Sequence, residues 1–146
     1  MSERTILLVE DNPQDELLAL RALRRANVAN RIDVVRDGQQ ALDYLFRLGE
    51  FAAREGPELP TVVLLDIGLP RLTGLEVLQR LRGDARTELL PVVMLTSSDE
   101  EADRLDSYRS RANSFVRKPL AFAEFAETVA ALGVYWVATN LGPGRG

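Results

Sequence analysis

The chain has 146 residues, 46% of them hydrophobic and 27% charged, with a net charge of −4. That length suits one domain with a buried core, and an acidic balance argues against a nucleic-acid surface. The sequence holds no Cys and no His, which excludes thiol nucleophiles, thiolate or imidazole metal sites, His–Asp triads and a phosphohistidine intermediate on this chain. Any metal must therefore be held by oxygen, which favours a hard cation.

No apolar run reaches the roughly 18 residues a membrane span needs, and Met1–Arg4 lacks the pattern of a signal peptide. A cytoplasmic location is the expectation. The first strand, Ile6–Val9, is continuously apolar and ends in Glu10-Asp11. Asn12 can cap a helix that has Pro13 at its first position, where a missing N–H costs nothing. A weaker strand, Ile32–Val35, precedes a helix with Ala41, Tyr44, Leu45 and Leu48 on one stripe. Gly49–Pro60 reads as a helix end plus a loop. The third strand, Val62–Leu65, runs into Asp66, and a helix follows Gly74 with Val77, Leu78 and Leu81 on its apolar face.

The fourth strand, Val92–Leu95, runs into Thr96-Ser97. The next helical stretch, about 99–109, is mostly charged, with only Ala102 and Leu105 clearly apolar, so it should be held loosely. A fifth strand, Ser114–Arg117, leads to Lys118-Pro119. The last helix carries Phe122, Phe125, Ala126 and Val129 on one face, extending to Leu132 and Trp136. Residues 1–140 are expected to form the domain, and 141–146 a disordered tail with no output domain. Continuous apolar strands alternating with helices imply a parallel sheet covered on both faces. Right-handed crossovers then give an α/β, doubly wound, five-stranded sheet of flavodoxin-like order 2-1-3-4-5.

Ligands of such a sheet bind outside the carboxyl ends of its strands. Those ends bring Glu10, Asp11, Asp66, Thr96 and Lys118 to one crevice. Three crowded carboxylates repel and call for a cation, and an all-oxygen set suits Mg²⁺. A carboxylate oxygen of Asp66 could then attack phosphorus, with Lys118 and the Thr96 hydroxyl as partners for the phosphoryl oxygens.

Four segments now carry a resemblance. Leu7–Asn12, Leu64–Pro70 with Gly74, Leu95-Thr96-Ser97 and Lys118-Pro119 look like the signature blocks of two-component receiver domains, in order and over about residues 5–132. The resemblance implies a (βα)5 receiver fold and a non-enzymatic phosphoacceptor protein with Mg²⁺-dependent self-phosphorylation and autodephosphorylation. It implies Asp66 as phosphoacceptor, Glu10 and Asp11 as the acidic metal pair, and the Gly68 carbonyl as a further ligand. Thr96 becomes the switch hydroxyl, Phe115 the switch aromatic and Lys118 the phosphate-binding lysine, with a cis Lys118–Pro119 bond. Gly68 and Ser98 stand where the family tunes its dephosphorylation rate; both are small and neither obviously blocks or assists an attacking water.

Ser107-Tyr108-Arg109, Ala112–Pro119, the Asn12-Pro13 start, the inserted Gly49–Pro60 segment and the extension past the last helix are similar to small regulators partnered with phytochrome-type histidine kinases. That similarity implies a bacteriophytochrome kinase as phosphoryl donor and a homodimer formed through the C-terminal region. Tyr135, Trp136 and Val137 fit either a core face or such an interface. The alternative within the family is a chemotaxis-type monomer signalling to a motor or scaffold protein. A dehalogenase-type phosphatase needs a second acid two residues after its nucleophile, and position 68 is glycine.

Overall fold

The computed structural model describes residues 4–26, 31–54, 59–96, 111–112, 114–117, 122–133 and 135. Its elements run β1 (Thr5–Val9), α1 (Pro13–Ala26), β2 (Arg31–Val35), α2 (Gly38–Phe46), a 3₁₀ turn (Gly49–Phe51), β3 (Val62–Asp66), α3 (Gly74–Arg82), β4 (Val92–Thr96), β5 (Ser114–Arg117) and α4 (Phe122–Gly133). All strand pairs are parallel, and the order is β2-β1-β3-β4-β5. The helical stretch expected at 99–109 and the tail 141–146 lie outside the described residues.

The continuous apolar runs have a direct structural cause. Side chains alternate across a strand, and here both faces are covered. Ile6, Leu8, Val62, Leu64, Val93 and Leu95 pack with Ala19 and Leu23 of α1 and Val129 of α4. Leu7, Val9, Val63, Leu65, Val92 and Met94 pack with Ala41, Tyr44 and Leu45 of α2 and Val77, Leu78 and Leu81 of α3. Every one of these strand residues is essentially buried. Of the apolar face expected on α4, Val129 is buried; the side chains of Phe122, Phe125, Ala126 and Leu132, and all of Trp136 and Val137, lie outside the described residues. Tyr135 is half exposed.

One expectation is corrected. Leu48 does not continue the α2 stripe, because the helix ends at Phe46. Arg47 turns left-handed with φ 55, and the Leu48 N–H closes on the Asp43 carbonyl at 2.8 Å. Leu48 is thereby turned outward and half exposed. The inserted segment is fastened to α2 through Tyr44. Phe51 meets its ring edge-on at 5.5 Å, the Arg54 guanidinium lies 4.1 Å from the ring centre, and the Tyr44 hydroxyl donates to Asp33 at 2.5 Å.

At the amino end of the strands, Arg82 is buried at the end of α3. Its guanidinium donates to the carbonyls of Arg111 (3.0 Å), Thr87 (3.2 Å) and Leu90 (2.9 Å). Arg111 returns a bond to the Arg82 carbonyl at 2.9 Å. This reciprocal clasp ties α3 to the loop before β4 and to the segment before β5.

Candidate functional site

The sheet register assembles the acidic site. Val9 pairs with Leu65, so the next residues, Glu10 and Asp66, come level at the carboxyl edge. Asp66 pairs with Leu95, and Thr96 with Arg117, which brings position 96 to the same edge. One carboxylate oxygen each from Glu10, Asp11 and Asp66 lies within 4.8 Å of the others. Glu10 and Asp66 are buried while Asp11 is exposed.

Local structure holds each acid. The Glu10 N–H donates to the Val35 carbonyl at 3.0 Å, and its Oε1 accepts from the Asn12 N–H at 3.1 Å. Asn12 caps α1 as expected, its Oδ1 accepting from Gln14 N–H (2.9 Å) and Asp15 N–H (3.1 Å). The capped turn therefore starts on the residue that braces Glu10. Asp66 is the last residue of β3, and its Oδ1 accepts from Gly68 N–H at 3.1 Å. Among the described residues, a Cβ at Gly68 would meet only that oxygen, at 4.0 Å.

Two glycines brace the loop that follows Asp66. A Cβ on Gly74 would sit 2.3 Å from the Asp66 carbonyl oxygen, and one on Gly38 would sit 2.1 Å from the Leu72 carbonyl oxygen. Such contacts leave room for hydrogen alone. Asp37 caps α2 through Gln40 N–H at 2.8 Å and pairs with Arg71, whose φ of 69 bends the same loop, at 3.6 Å. Thr73 and Glu76 form a capping box at the start of α3, a motif legible in the sequence as Thr-x-x-Glu. The roles of Gly38, Arg71 and the Glu16–Arg36 ion pair had no such local signal.

The donor set fits a hard divalent cation. Two buried carboxylates beside a third strongly favour a positive charge between them, and all donors are oxygens. Of the other expected site residues, Thr96 is the last residue of β4 and Phe115 lies within β5. Their side chains, all of Lys118, and the expected cis Lys118–Pro119 bond lie outside the described residues.

Residues 6–130 match the response regulator receiver domain family. The chain belongs to that family. As a receiver it is a phosphoacceptor module of two-component signalling, a system in which histidine kinases are the partners. FilR2, a probable methanogenesis regulatory protein of Methanothrix harundinacea (strain 6Ac), is 42% identical over 139 residues, covering 95% of this chain and 87% of its own length. Response regulator Rcp1 of Synechocystis sp. (strain ATCC 27184 / PCC 6803 / Kazusa) is 31% identical over 136 residues, 93% of this chain and 90% of its own. The Mn²⁺-bound structure of Rcp1 superposes with a TM-score of 0.89 at 30% identity, covering 97% of this chain and 99% of that one. The phosphorylated cyanobacterial phytochrome response regulator RcpA superposes with a TM-score of 0.90 at 33% identity, covering 98% and 100%.

Proposed function

We propose that this receiver accepts a phosphoryl group on Asp66 from a phytochrome-type histidine kinase. The observation that carries the reading is the acidic cluster itself: Asp66 at the end of β3, beside Glu10 and Asp11. The likeness to a phytochrome response regulator, RcpA, supports the identity of the donor.

In this reading an Asp66 carboxylate oxygen attacks phosphorus, and the P–N bond to the donor histidine breaks with its electron pair staying on the imidazole. Glu10, Asp11, Asp66 and the Gly68 carbonyl are the residues that would hold Mg²⁺. When bound, that cation screens the charge between the incoming phosphoryl group and the carboxylates. The Lys118 ammonium and the Thr96 hydroxyl take the phosphoryl oxygens. Phosphorylation adds about −1.5 to −2 charge, which draws Thr96 inward and lets Phe115 turn into the space it leaves. The aspartyl phosphate can also form from a small donor and is later hydrolysed by the receiver itself. Residues 1–140 constitute the working domain, followed by the tail at 141–146. The protein acts in the cytoplasm as a homodimer joined through its C-terminal region.

Incubation with Mg²⁺ and acetyl phosphate, followed by intact mass, tests the assignment. Wild type should gain one phosphoryl group and Asp66→Ala none. A gain by both proteins, or by neither, overturns the role of Asp66.

A further inference from the structure

We propose that the Glu16–Arg36 ion pair is a positioning element that sets the acidic pair, Glu10 and Asp11, for cation binding. The inference rests on the reading of the acidic cluster as a divalent-cation site. Arg36 meets Glu16 as a two-pronged fork, Nη2 to Oε2 at 3.0 Å and Nε to Oε1 at 2.9 Å. Both carboxylate oxygens are engaged, a geometry that fixes direction as well as distance.

The pair joins three segments that meet behind the acids. Glu16 lies in the first turn of α1, and its N–H donates to the Asn12 carbonyl at 2.9 Å. Arg36 follows directly on Val35, whose carbonyl accepts from Glu10 N–H. The Arg36 N–H in turn donates to Gln40 Oε1, on α2, at 2.8 Å. Asp11 makes no hydrogen bond of its own among the described residues. Its place therefore follows from its neighbours: Glu10, tied to the end of β2, and Asn12, tied to the first turn of α1. The fork closes the loop between those two anchors from outside.

The Arg36 side chain is 61% exposed, and exposed ion pairs add little to global stability. A pair so placed acts by orientation. The sign of a neutralising substitution separates this role from simple electrostatics. Removing a positive charge beside a cation site should tighten cation binding if charge alone matters. Loss of a positioning contact should weaken it.

The test is calorimetric titration of the full chain with Mg²⁺, together with melting in the presence of a chelator. Arg36→Gln should bind about tenfold more weakly, the scale of effect seen when groups that orient metal ligands are removed. Its chelated melting temperature should stay within about 2 °C of wild type, as a half-exposed ion pair allows. Arg36→Lys keeps the charge, loses the fork, and should resemble Arg36→Gln. The double variant Arg36→Gln/Glu16→Gln should lose no more than the single, and the exchanged pair Arg36→Glu/Glu16→Arg should recover affinity. Equal or tighter binding by Arg36→Gln overturns the proposal, as does a loss that comes with a large fall in melting temperature. A wild type that binds no Mg²⁺ overturns the cation reading itself, a separate failure.

Discussion

Gly74→Ala probes how tightly the loop carrying Asp66 is packed. A Cβ at that position would lie 2.3 Å from the Asp66 carbonyl oxygen, 2.8 Å from Ile67 Cα and 3.0 Å from the Asp66 carbonyl carbon. Carbon atoms pack comfortably at about 3.5 Å, so Ile67 has to retreat by roughly 0.7 Å and the Asp66 carbonyl by more. Neither can swing aside as a side chain does. Ile67 N–H is bonded to Leu95 at 3.0 Å and the Ile67 carbonyl to Gly74 N–H at 2.9 Å. Overpacking of this kind costs about 1–3 kcal/mol, and a rigid backbone neighbour puts this site toward the upper end. Alanine's better helix propensity returns at most about 1 kcal/mol. The net loss is about 2 kcal/mol, or roughly 6 °C in melting temperature for a domain of this size. Urea and thermal melts of Gly74→Ala should show it. Gly68→Ala, whose Cβ meets no atom of the described residues closer than 4.0 Å, and Gly83→Ala, at 3.5 Å, should stay within about 0.5 kcal/mol of wild type. If Gly74→Ala melts with wild type, the close approach of α3 to the end of β3 is wrong.

Arg82→Met should cost about 2 kcal/mol in urea denaturation, because it strands the Leu90 carbonyl in the interior and leaves the Thr87 carbonyl with the Leu90 N–H alone. Burial, and then the Arg111 charge, lower the affinity of that guanidinium for its proton; Arg82→Lys should rescue little, since one ammonium cannot span three carbonyls. Tyr44 is pushed well above the usual tyrosine range, first by burial, then by its hydrogen bond to Asp33 and that carboxylate's charge. The native state therefore keeps a proton that the unfolded chain releases near pH 10, so this contribution to stability is whole below that point and falls as pH rises beyond it. Urea midpoints compared at about pH 8.5 and 11 should fall for wild type, with a shallower fall for Tyr44→Phe.

Much of this molecule is written locally. Each central strand is a short Val/Leu/Ile run because its two faces meet different helices, and the acids directly follow such runs, so the sheet and its acidic cluster could both be read along the chain. Asn12 and Pro13 announced the start of α1 through chemistry confined to a few residues. What resisted reading depends on partners distant in sequence. Arg82 looks like a surface residue of a helix end until Leu90 and Arg111 fold over it. Gly38 looks like a turn glycine until Leu72 fills the space beside it. Leu48 obeyed the helical period, but the left-handed turn at Arg47 ended the helix first. Glu16 and Arg36, twenty positions apart, form a pair only because β2 lies next to β1.

The placement of β2 at the border of the sheet bears on how the protein avoids unwanted association. A border strand exposes a row of amide and carbonyl groups on which another chain could template. Here that strand is only five residues long and carries Arg31 and Asp33, joined at 3.0 Å, with Asp33 further committed to the Tyr44 hydroxyl. A chain docking there would have to dehydrate this charged pair for a short run of backbone bonds. The border is thus guarded against cross-strand aggregation by a charged pair whose Asp33 also holds the tyrosine against which the inserted segment packs.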